Sequence, residues 1–273
     1  MCHLQQRYLH IPEDNSHQIS DLGYIFQKKP LVLPAQFKKA VTLQYQTIKL
    51  KPMIYLADTA NLEELKQLFY YFPIQGVTTN PTIIGAENQP LSVILPKIIE
   101  LVGDKMLHIQ MISDKAEDMV REAKTYKAKY SLGDNYFAKI PVSQEGYKAM
   151  PMLKDAGINV TATAIFTQQQ ALVAARAGAD WVAPYVNRLD NISSHGIEVV
   201  KHIVDNIREF KLNTKVLAAS FKTVDQVHRV SMVGSHAATV SHEILERLRS
   251  HPMTDMSLEW FIRDGKHLYD IEF

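Results

Sequence analysis

The chain has 273 residues, a formal net charge of +1, 46% hydrophobic residues and 22% charged residues. This length fits one large domain or two small ones, and the composition is typical of a globular protein. The small net charge gives no support for nucleic-acid binding, which usually shows as a basic excess or stripe. A single cysteine, Cys2, excludes a disulfide framework and a thiolate metal cluster. Because no run approaches 18 apolar residues and no signal pattern opens the chain, a soluble cytoplasmic protein is expected.

Residues 1–52 differ from the rest of the chain. They hold prolines at positions 12, 30, 34 and 52 and lack sustained helical or strand periodicity. Three interpretations remain open: a flexible arm, a short docking segment, or upstream sequence translated ahead of a true start at Met53. The third is favoured, since an organised pattern begins directly after Met53 and no other methionine follows Met1 before it. We expect this segment to hold no site residue, and we assign residues 53–273 to the folded domain.

From Met53 onward, short apolar strands alternate with amphipathic helices. The predicted strands are 53–57, 75–79, 106–112, 135–141, 158–164, 180–186, 215–220 and 236–240. Between them, apolar residues recur at three- and four-residue steps, as in 61–68 and 167–176. Eight strand–helix units of roughly 28 residues each predict a (β/α)8 TIM barrel, followed from about residue 251 by a C-terminal helical extension. A doubly wound open sheet is the alternative, but no glycine-rich loop follows the first strand.

Lys139 lies in the apolar run 136–142, where a buried environment is expected. Burial disfavours the charged form of an amine, and a neutral amine can attack a carbonyl carbon to form a Schiff base. Taken alone, Lys139 fits better the commoner arrangement, a strand-end lysine whose head reaches water. The polar residues elsewhere along the chain reverse this preference.

Polar residues end most of the predicted strands. In a TIM barrel the carboxyl ends of all strands meet at one mouth, where active sites form. One such residue alone indicates only the exit into a loop, but seven at separations of 22 to 35 residues indicate a shared site. They are Asp58, Asn80, Gln110, Lys139, Thr163, Tyr185 and Ser220.

Four motifs carry a resemblance to a known family. They are Val77-Thr78-Thr79-Asn80-Pro81, Ala138-Lys139-Ile140-Pro141-Val142, Ala183-Pro184-Tyr185-Val186-Asn187-Arg188 and Ala218-Ala219-Ser220-Phe221-Lys222. Together they resemble the class I transaldolase and fructose-6-phosphate aldolase family, from Met53 to about Gly265. The resemblance implies a metal-free and cofactor-free aldolase acting on sugar phosphates and a dihydroxyacetone-type donor.

Carried over residue by residue, the resemblance makes Lys139 the Schiff-base lysine. It implies that Asp58 binds substrate hydroxyls and assists proton transfer, although Asp58 alone could be a helix N-cap. Asn80 would hold donor hydroxyls, with Thr79 beside it, although Asn80 could instead turn the chain before a proline. Gln110 and Thr163 would position the water that forms and hydrolyses the imine, although a threonine is also an ordinary strand residue.

Gln110 and Tyr185 discriminate within the family. Transaldolases typically carry Glu and Phe at these positions, whereas the small aldolases carry Gln and Tyr, as this chain does. A phenol near the catalytic water can supply a proton directly, which favours the aldolase; a core aromatic with a satisfied hydroxyl is the alternative for Tyr185.

A phosphate site follows from the same resemblance. Arg188 and Ser220 would bind the dianion, because a guanidinium fork and a hydroxyl supply several hydrogen bonds to it. Lys222 could add charge or be a solvated loop lysine.

Other functions are less compatible with the sequence. The eleven histidines show no metal-binding spacing. Transaldolase remains the main competitor, and a non-catalytic sugar-phosphate-binding barrel is a further alternative. The resemblance also implies a homo-oligomer, a decamer in which the last helix contacts a neighbour, and no nucleic-acid or membrane partner is expected.

Overall fold

The computed structural model describes residues 53–269, so the interpretations of residues 1–52 lie outside the described part of the chain. Within it, eight parallel strands form a closed barrel in sequence order, with β8 paired to β1. The strands are β1 (Ile54–Asp58), β2 (Ile74–Thr78), β3 (Met106–Gln110), β4 (Tyr136–Pro141), β5 (Asn159–Ile165), β6 (Trp181–Pro184), β7 (Lys215–Ala218) and β8 (Ala237–Val240). The predicted (β/α)8 fold is confirmed, and the open doubly wound sheet is excluded.

Helices follow every strand. They are α1 (Leu62–Tyr71), α2 (Pro81–Ala86), α3 (Leu91–Val102), α4 (Ala116–Lys129), α5 (Gln144–Asp155), α6 (Gln168–Arg176), α7 (Val186–Asp190), α8 (Gly196–Glu209), α9 (Val224–Met232), α10 (His242–Arg249) and α11 (Pro252–Gly265). Helix α11 is the predicted C-terminal extension. It contains no buried residue within the described chain.

Three strands end two residues earlier than predicted, and β2 ends one residue earlier, at Thr78. Strand β3 stops at Gln110, and β6 stops at Pro184 because helix α7 begins at Val186. Strand β7 stops at Ala218, beyond which Tyr185 and Ala219 form only an isolated bridge. The backbone therefore leaves the regular ladder just where the candidate site residues of β6 and β7 are located.

Two apolar layers hold the barrel together. Outward-facing strand residues such as Val77, Ile109 and Ala138 pack against the helices in one large cluster. A smaller cluster closes the inside of the barrel and consists of Leu56, Phe137, Trp181, Leu217 and Ala237. Since side chains alternate along a strand, the residues two positions after these interior ones face the same axis nearer the mouth.

Candidate active site

Lys139 is buried on the interior face of β4, with only 3% of its surface exposed. Its Nζ atom donates a hydrogen bond to the backbone carbonyl of Thr79 at 3.2 Å. The pairing register sets Lys139 between Gln110 on β3 and Thr161 on β5. The alternative of a strand-end lysine with a solvated head is therefore wrong, and the amine lies in the desolvated interior of the mouth.

Asp58 ends β1 and receives a short chain of hydroxyl hydrogen bonds. The Thr78 hydroxyl donates to Asp58 Oδ1 at 2.7 Å. Thr78 Oγ1 also lies 2.5 Å from the hydroxyl of Thr239. Because a hydroxyl has one proton, Thr239 must be the donor to Thr78 when Thr78 donates to an ionised Asp58. Helix α1 is capped by Asn61, whose side chain accepts from the backbone of Glu63 and Glu64, so Asp58 is not a helix cap.

Burial raises the pKa of Asp58 above its ordinary value. The side chain keeps some exposure at the mouth, yet the loss of water around the carboxyl is the largest influence on that pKa. The charges of Lys139 and Arg188 and the hydrogen bond from Thr78 act in the opposite direction. A carboxyl with a raised pKa is suited to accept and return a proton near neutral pH.

Thr163 on β5 and Tyr185, directly after β6, form a hydroxyl pair. Their oxygen atoms lie 3.1 Å apart, and Thr163 is fully buried. The ring of Phe166 meets that of Tyr185 edge-on, with 5.7 Å between centroids. Tyr185 thus has the satisfied hydroxyl that a core aromatic would show, but its partner is another candidate site residue.

Gln110 and Asn80 use their amides differently. Gln110 Oε1 is buried and has no hydrogen-bond partner within residues 53–269, which leaves an acceptor free for a bound molecule. Asn80 is the N-cap of α2, where its Oδ1 accepts from Ile83 N–H at 3.0 Å. Asn80 therefore does turn the chain into α2, as the alternative interpretation expected.

Thr79, directly after β2, links Lys139 on β4 to the backbone of β3. Its backbone carbonyl accepts from Lys139, while its own N–H and hydroxyl both donate to the carbonyl oxygen of His108, at 3.0 and 3.3 Å. Thr79 is buried, so this linkage fixes the carbonyl that orients the amine.

Arg188 and Ser220 occupy the side of the mouth formed by β6 and β7. The Arg188 guanidinium carbon lies 4.8 Å from the centroid of the Tyr185 ring. Ser220 has a left-handed φ of 63°, a strained conformation for a residue with a side chain. In this conformation its carbonyl accepts from Asn187 N–H at 2.8 Å, which ties the loop after β7 to α7. Lys222 is exposed on the adjoining loop, as expected for a solvated lysine.

Two buried polar residues on β3 and β5 were missed from the sequence, besides Thr78 and Thr239 behind Asp58. His108 Nδ1 lies 2.8 Å from the hydroxyl of Thr161, and its ring stacks on Phe137 at 4.5 Å. Burial, with the nearby charge of Lys139, lowers the pKa of His108 to about 3, so the imidazole is neutral at physiological pH. Both residues lie two positions before a predicted site residue, Gln110 or Thr163, so strand alternation could have found them.

Neither a metal centre nor a membrane span is found among the described residues. No group of three His, Cys, Asp or Glu side chains lies close enough to hold a metal ion there. Within 53–269, every helix is too short or too polar to cross a bilayer.

The fold and the site define the class of this protein as a (β/α)8 barrel with a buried lysine among hydroxyl and carboxyl groups at the carboxyl mouth of the strands. The family model described as Transaldolase/Fructose-6-phosphate aldolase matches residues 55–270. The chain therefore belongs to the transaldolase/fructose-6-phosphate aldolase family, as its motifs predicted, and is an enzyme of that family.

Relatives match over nearly their whole length. A probable transaldolase from Aquifex aeolicus is 36% identical over 221 residues, which cover 81% of this chain and 100% of the relative. A probable transaldolase from Clostridium tetani is 37% identical over 216 residues, covering 79% of this chain and 99% of the relative. Among solved structures, dihydrodipicolinate synthase from Rhodopseudomonas palustris superposes with a TM-score of 0.52 at 9% identity, covering 79% of each chain, which shows a shared fold alone.

Proposed function

We propose that the protein is a class I aldolase that reversibly cleaves fructose 6-phosphate, or a similar ketose phosphate, to dihydroxyacetone and glyceraldehyde 3-phosphate. The observation that carries the proposal is the burial of Lys139 beside Asp58 in the barrel mouth. A desolvated amine can attack a ketone, and the resulting protonated imine withdraws electrons from the neighbouring carbon–carbon bond.

Lys139 begins the reaction by adding to the ketone carbon of the sugar phosphate. Loss of water from the carbinolamine then gives the imine. Asp58 then takes the proton of the substrate hydroxyl next to the bond that breaks, and the bonding electrons pass into the imine. Its raised pKa supports this role, as do the hydroxyls of Thr78 and Thr239 behind it.

Release of dihydroxyacetone requires a proton and a water molecule. Tyr185 supplies the proton, and its hydrogen bond to Thr163 orients the phenol. The free Oε1 of Gln110 can accept a hydrogen bond from the water that hydrolyses the imine. Asn80 and Thr79 line the donor side of the mouth, so the dihydroxyacetone unit would lie against the ends of β2 and β4.

Arg188 and Ser220 hold the phosphate at the opposite side of the mouth, with Lys222 adding charge from the loop. Stacking on Tyr185 limits the movement of the guanidinium group, so less freedom is lost when phosphate binds. The electrostatic effect of Arg188 on Asp58 supports a guanidinium directed toward the mouth.

Transaldolase activity is the second candidate. It is favoured by the name probable transaldolase that the relatives carry. Both reactions use the same lysine and differ in whether the dihydroxyacetone unit is released or passed to an aldose phosphate. Membership of an enzyme family argues against the third alternative, a barrel that only binds sugar phosphates.

One incubation separates the two enzymes. Fructose 6-phosphate alone should yield free dihydroxyacetone and glyceraldehyde 3-phosphate. Turnover that appears only after erythrose 4-phosphate is added would identify a transaldolase instead. Borohydride in the presence of dihydroxyacetone should trap a covalent adduct in either case, and no adduct would exclude the whole class I mechanism.

The protein is also proposed to form a homo-oligomer, a decamer by analogy with its family. Helix α11 supports this assembly, because Leu258, Phe261 and Ile262 are each more than half exposed and would gain from burial. Elution as a monomer from size exclusion at micromolar concentration would exclude it.

A further inference from the structure

The amide of Gln226 bridges two segments that border the mouth. Its Oε1 accepts the backbone N–H of Lys222 at 2.8 Å and that of Thr223 at 3.3 Å. Its Nε2 donates to Asp190 Oδ2 at 2.7 Å and to Asn187 Oδ1 at 3.3 Å. The orientation of the amide is unambiguous, because backbone N–H groups can only donate and the Asp190 carboxylate can only accept.

Each end of this bridge leads to a proposed phosphate ligand. Asn187 and Asp190 flank Arg188 on α7, while Lys222 follows Ser220 on the loop after β7. The backbone also joins the two segments directly: Asn187 N–H donates to the Ser220 carbonyl at 2.8 Å, and Val186 N–H donates to the Ala219 carbonyl at 2.9 Å. Asp190 is itself anchored, since its Oδ1 accepts the N–H of Gly196 at the start of α8.

A matched site elsewhere in the barrel shows what a helix cap alone requires. Thr223 and Gln226 form a capping box at α9, and Thr167 and Gln170 form the same box at α6. Gln170 Oε1 accepts N–H groups from its own loop, at 2.8 and 3.1 Å. Within the described residues its nitrogen makes no hydrogen bond to a neighbouring element, so the bridge to α7 is an additional feature of Gln226.

We propose that Gln226 is a positioning residue for phosphate binding, which sets the spacing between Arg188 on α7 and Ser220 on the β7–α9 loop. The inference rests on the proposed function, because it takes the phosphorylated end of the substrate as the ligand of Arg188 and Ser220. Donors on two separate segments bind a dianion tightly only when their separation is fixed before binding. Gln226 does not contact substrate in this arrangement; it acts through α7 and the loop.

The substitution Gln226→Glu separates the bridge from the helix cap. A carboxylate still accepts from Lys222 and Thr223 N–H, so the capping box and the thermal stability of the helix should be retained. The same carboxylate cannot donate to Asp190 and repels it, so the bridge to α7 is lost. We expect the KM for glyceraldehyde 3-phosphate in aldol addition to dihydroxyacetone to rise about tenfold, with little change for unphosphorylated glyceraldehyde.

Rescue is expected from the double variant Gln226→Glu, Asp190→Asn. The amide introduced at position 190 can donate to the new carboxylate and still accept from Gly196 N–H through its oxygen. Its KM for glyceraldehyde 3-phosphate should return most of the way to the wild-type value. The control Gln170→Glu, which keeps the other capping box, should leave both KM values at their wild-type levels.

The outcomes are distinguishable. Equal increases in KM for the phosphorylated and unphosphorylated aldehydes, no increase at all, or no recovery in the double variant would overturn the role of Gln226. Borohydride trapping with unphosphorylated dihydroxyacetone reports the proposed function separately. Wild-type protein that traps no adduct would overturn that function and this inference together, whereas normal trapping with unchanged KM values would overturn this inference alone.

Discussion

Lys139 Nζ and the carbonyl oxygen of Thr79 are 3.2 Å apart, a hydrogen bond that reaches across β3 to join β4 with the end of β2. The carbonyl holds the amine at the mouth and also forms part of a backbone linkage through His108. The positive charge of Lys139 also opposes the rise in the pKa of Asp58, which ends β1 at the same mouth.

Replacement of Lys139 by Met should abolish turnover. Methionine is similar in length and apolar character to the aliphatic stem of lysine, so the barrel should still fold. It has no amine that could form the imine. The measurements are steady-state cleavage of fructose 6-phosphate and mass detection of the borohydride-trapped adduct. EDTA should not affect the wild-type enzyme. More than trace activity in the variant, or inhibition by chelation, would show that the mechanism is wrong.

Tyr185→Phe should lower the rate of dihydroxyacetone release by roughly 10²–10⁴-fold, the range typical of losing a general acid. The ring packing against Phe166 and Arg188 is retained, so stability should change little. Release is measured with fructose 6-phosphate alone, and transfer with erythrose 4-phosphate added. A variant with unchanged release would exclude the phenol as the proton donor.

Asp58→Asn should stabilise the protein at neutral pH. Because burial raises the pKa of Asp58, the folded state binds its proton more tightly than the unfolded state does, and stability is lost as pH rises above about 3.8 through the folded pKa. The amide cannot ionise and still accepts from Thr78. Thermal unfolding at pH 7 should show a higher melting temperature for the variant, with the difference shrinking toward pH 3.8. Equal differences at both pH values would contradict the raised pKa.

His108 should make the protein sensitive to acid. Its pKa is lowered from 6.5 to about 3, so stability is complete above pH 6.5 and falls as pH drops toward 3. By linkage this window corresponds to on the order of 4–5 kcal/mol. His108→Gln keeps a partner for Thr161 without a titrating group. The free energy of unfolding of the variant should vary less with pH between pH 6.5 and 3 than that of the wild type. The comparison uses the slope of that free energy against pH, because the loss of ring stacking shifts it equally at every pH. Parallel slopes would argue that His108 is protonated in the folded state.

A protein that begins at Met53 should fold and retain activity. Residues 55–270 contain the family match, and every candidate site residue lies after Met53. Circular dichroism, size exclusion and the fructose 6-phosphate assay test this directly against the 273-residue chain. Loss of solubility or activity on truncation would show that residues 1–52 contribute to the native enzyme.

Most of the candidate site was predictable because strand ends in a barrel share one mouth. Lys139, Thr163 and Asp58 all lie there, as expected. Thr78 and His108 were missed, although each lies two residues before a predicted site residue, and His108 shares the inner face of β3 with Gln110. The alternation of side chains along a strand shows which residues face inward. It does not show which of the inward-facing polar residues belong to the site.

The order and number of strands, the family and the choice of Lys139 as the candidate Schiff-base residue were all predictable from the sequence alone. These properties depend on local periodicity and on motifs of a few adjacent residues, and both can be read directly from the order of residues in the chain. Only the tertiary structure decided which distant groups meet: the hydroxyls of Thr163 and Tyr185, or the amide of Gln226 with Asp190, 36 residues away. Such contacts depend on barrel closure and on where β6 and β7 end, and both follow from packing among all eight strands.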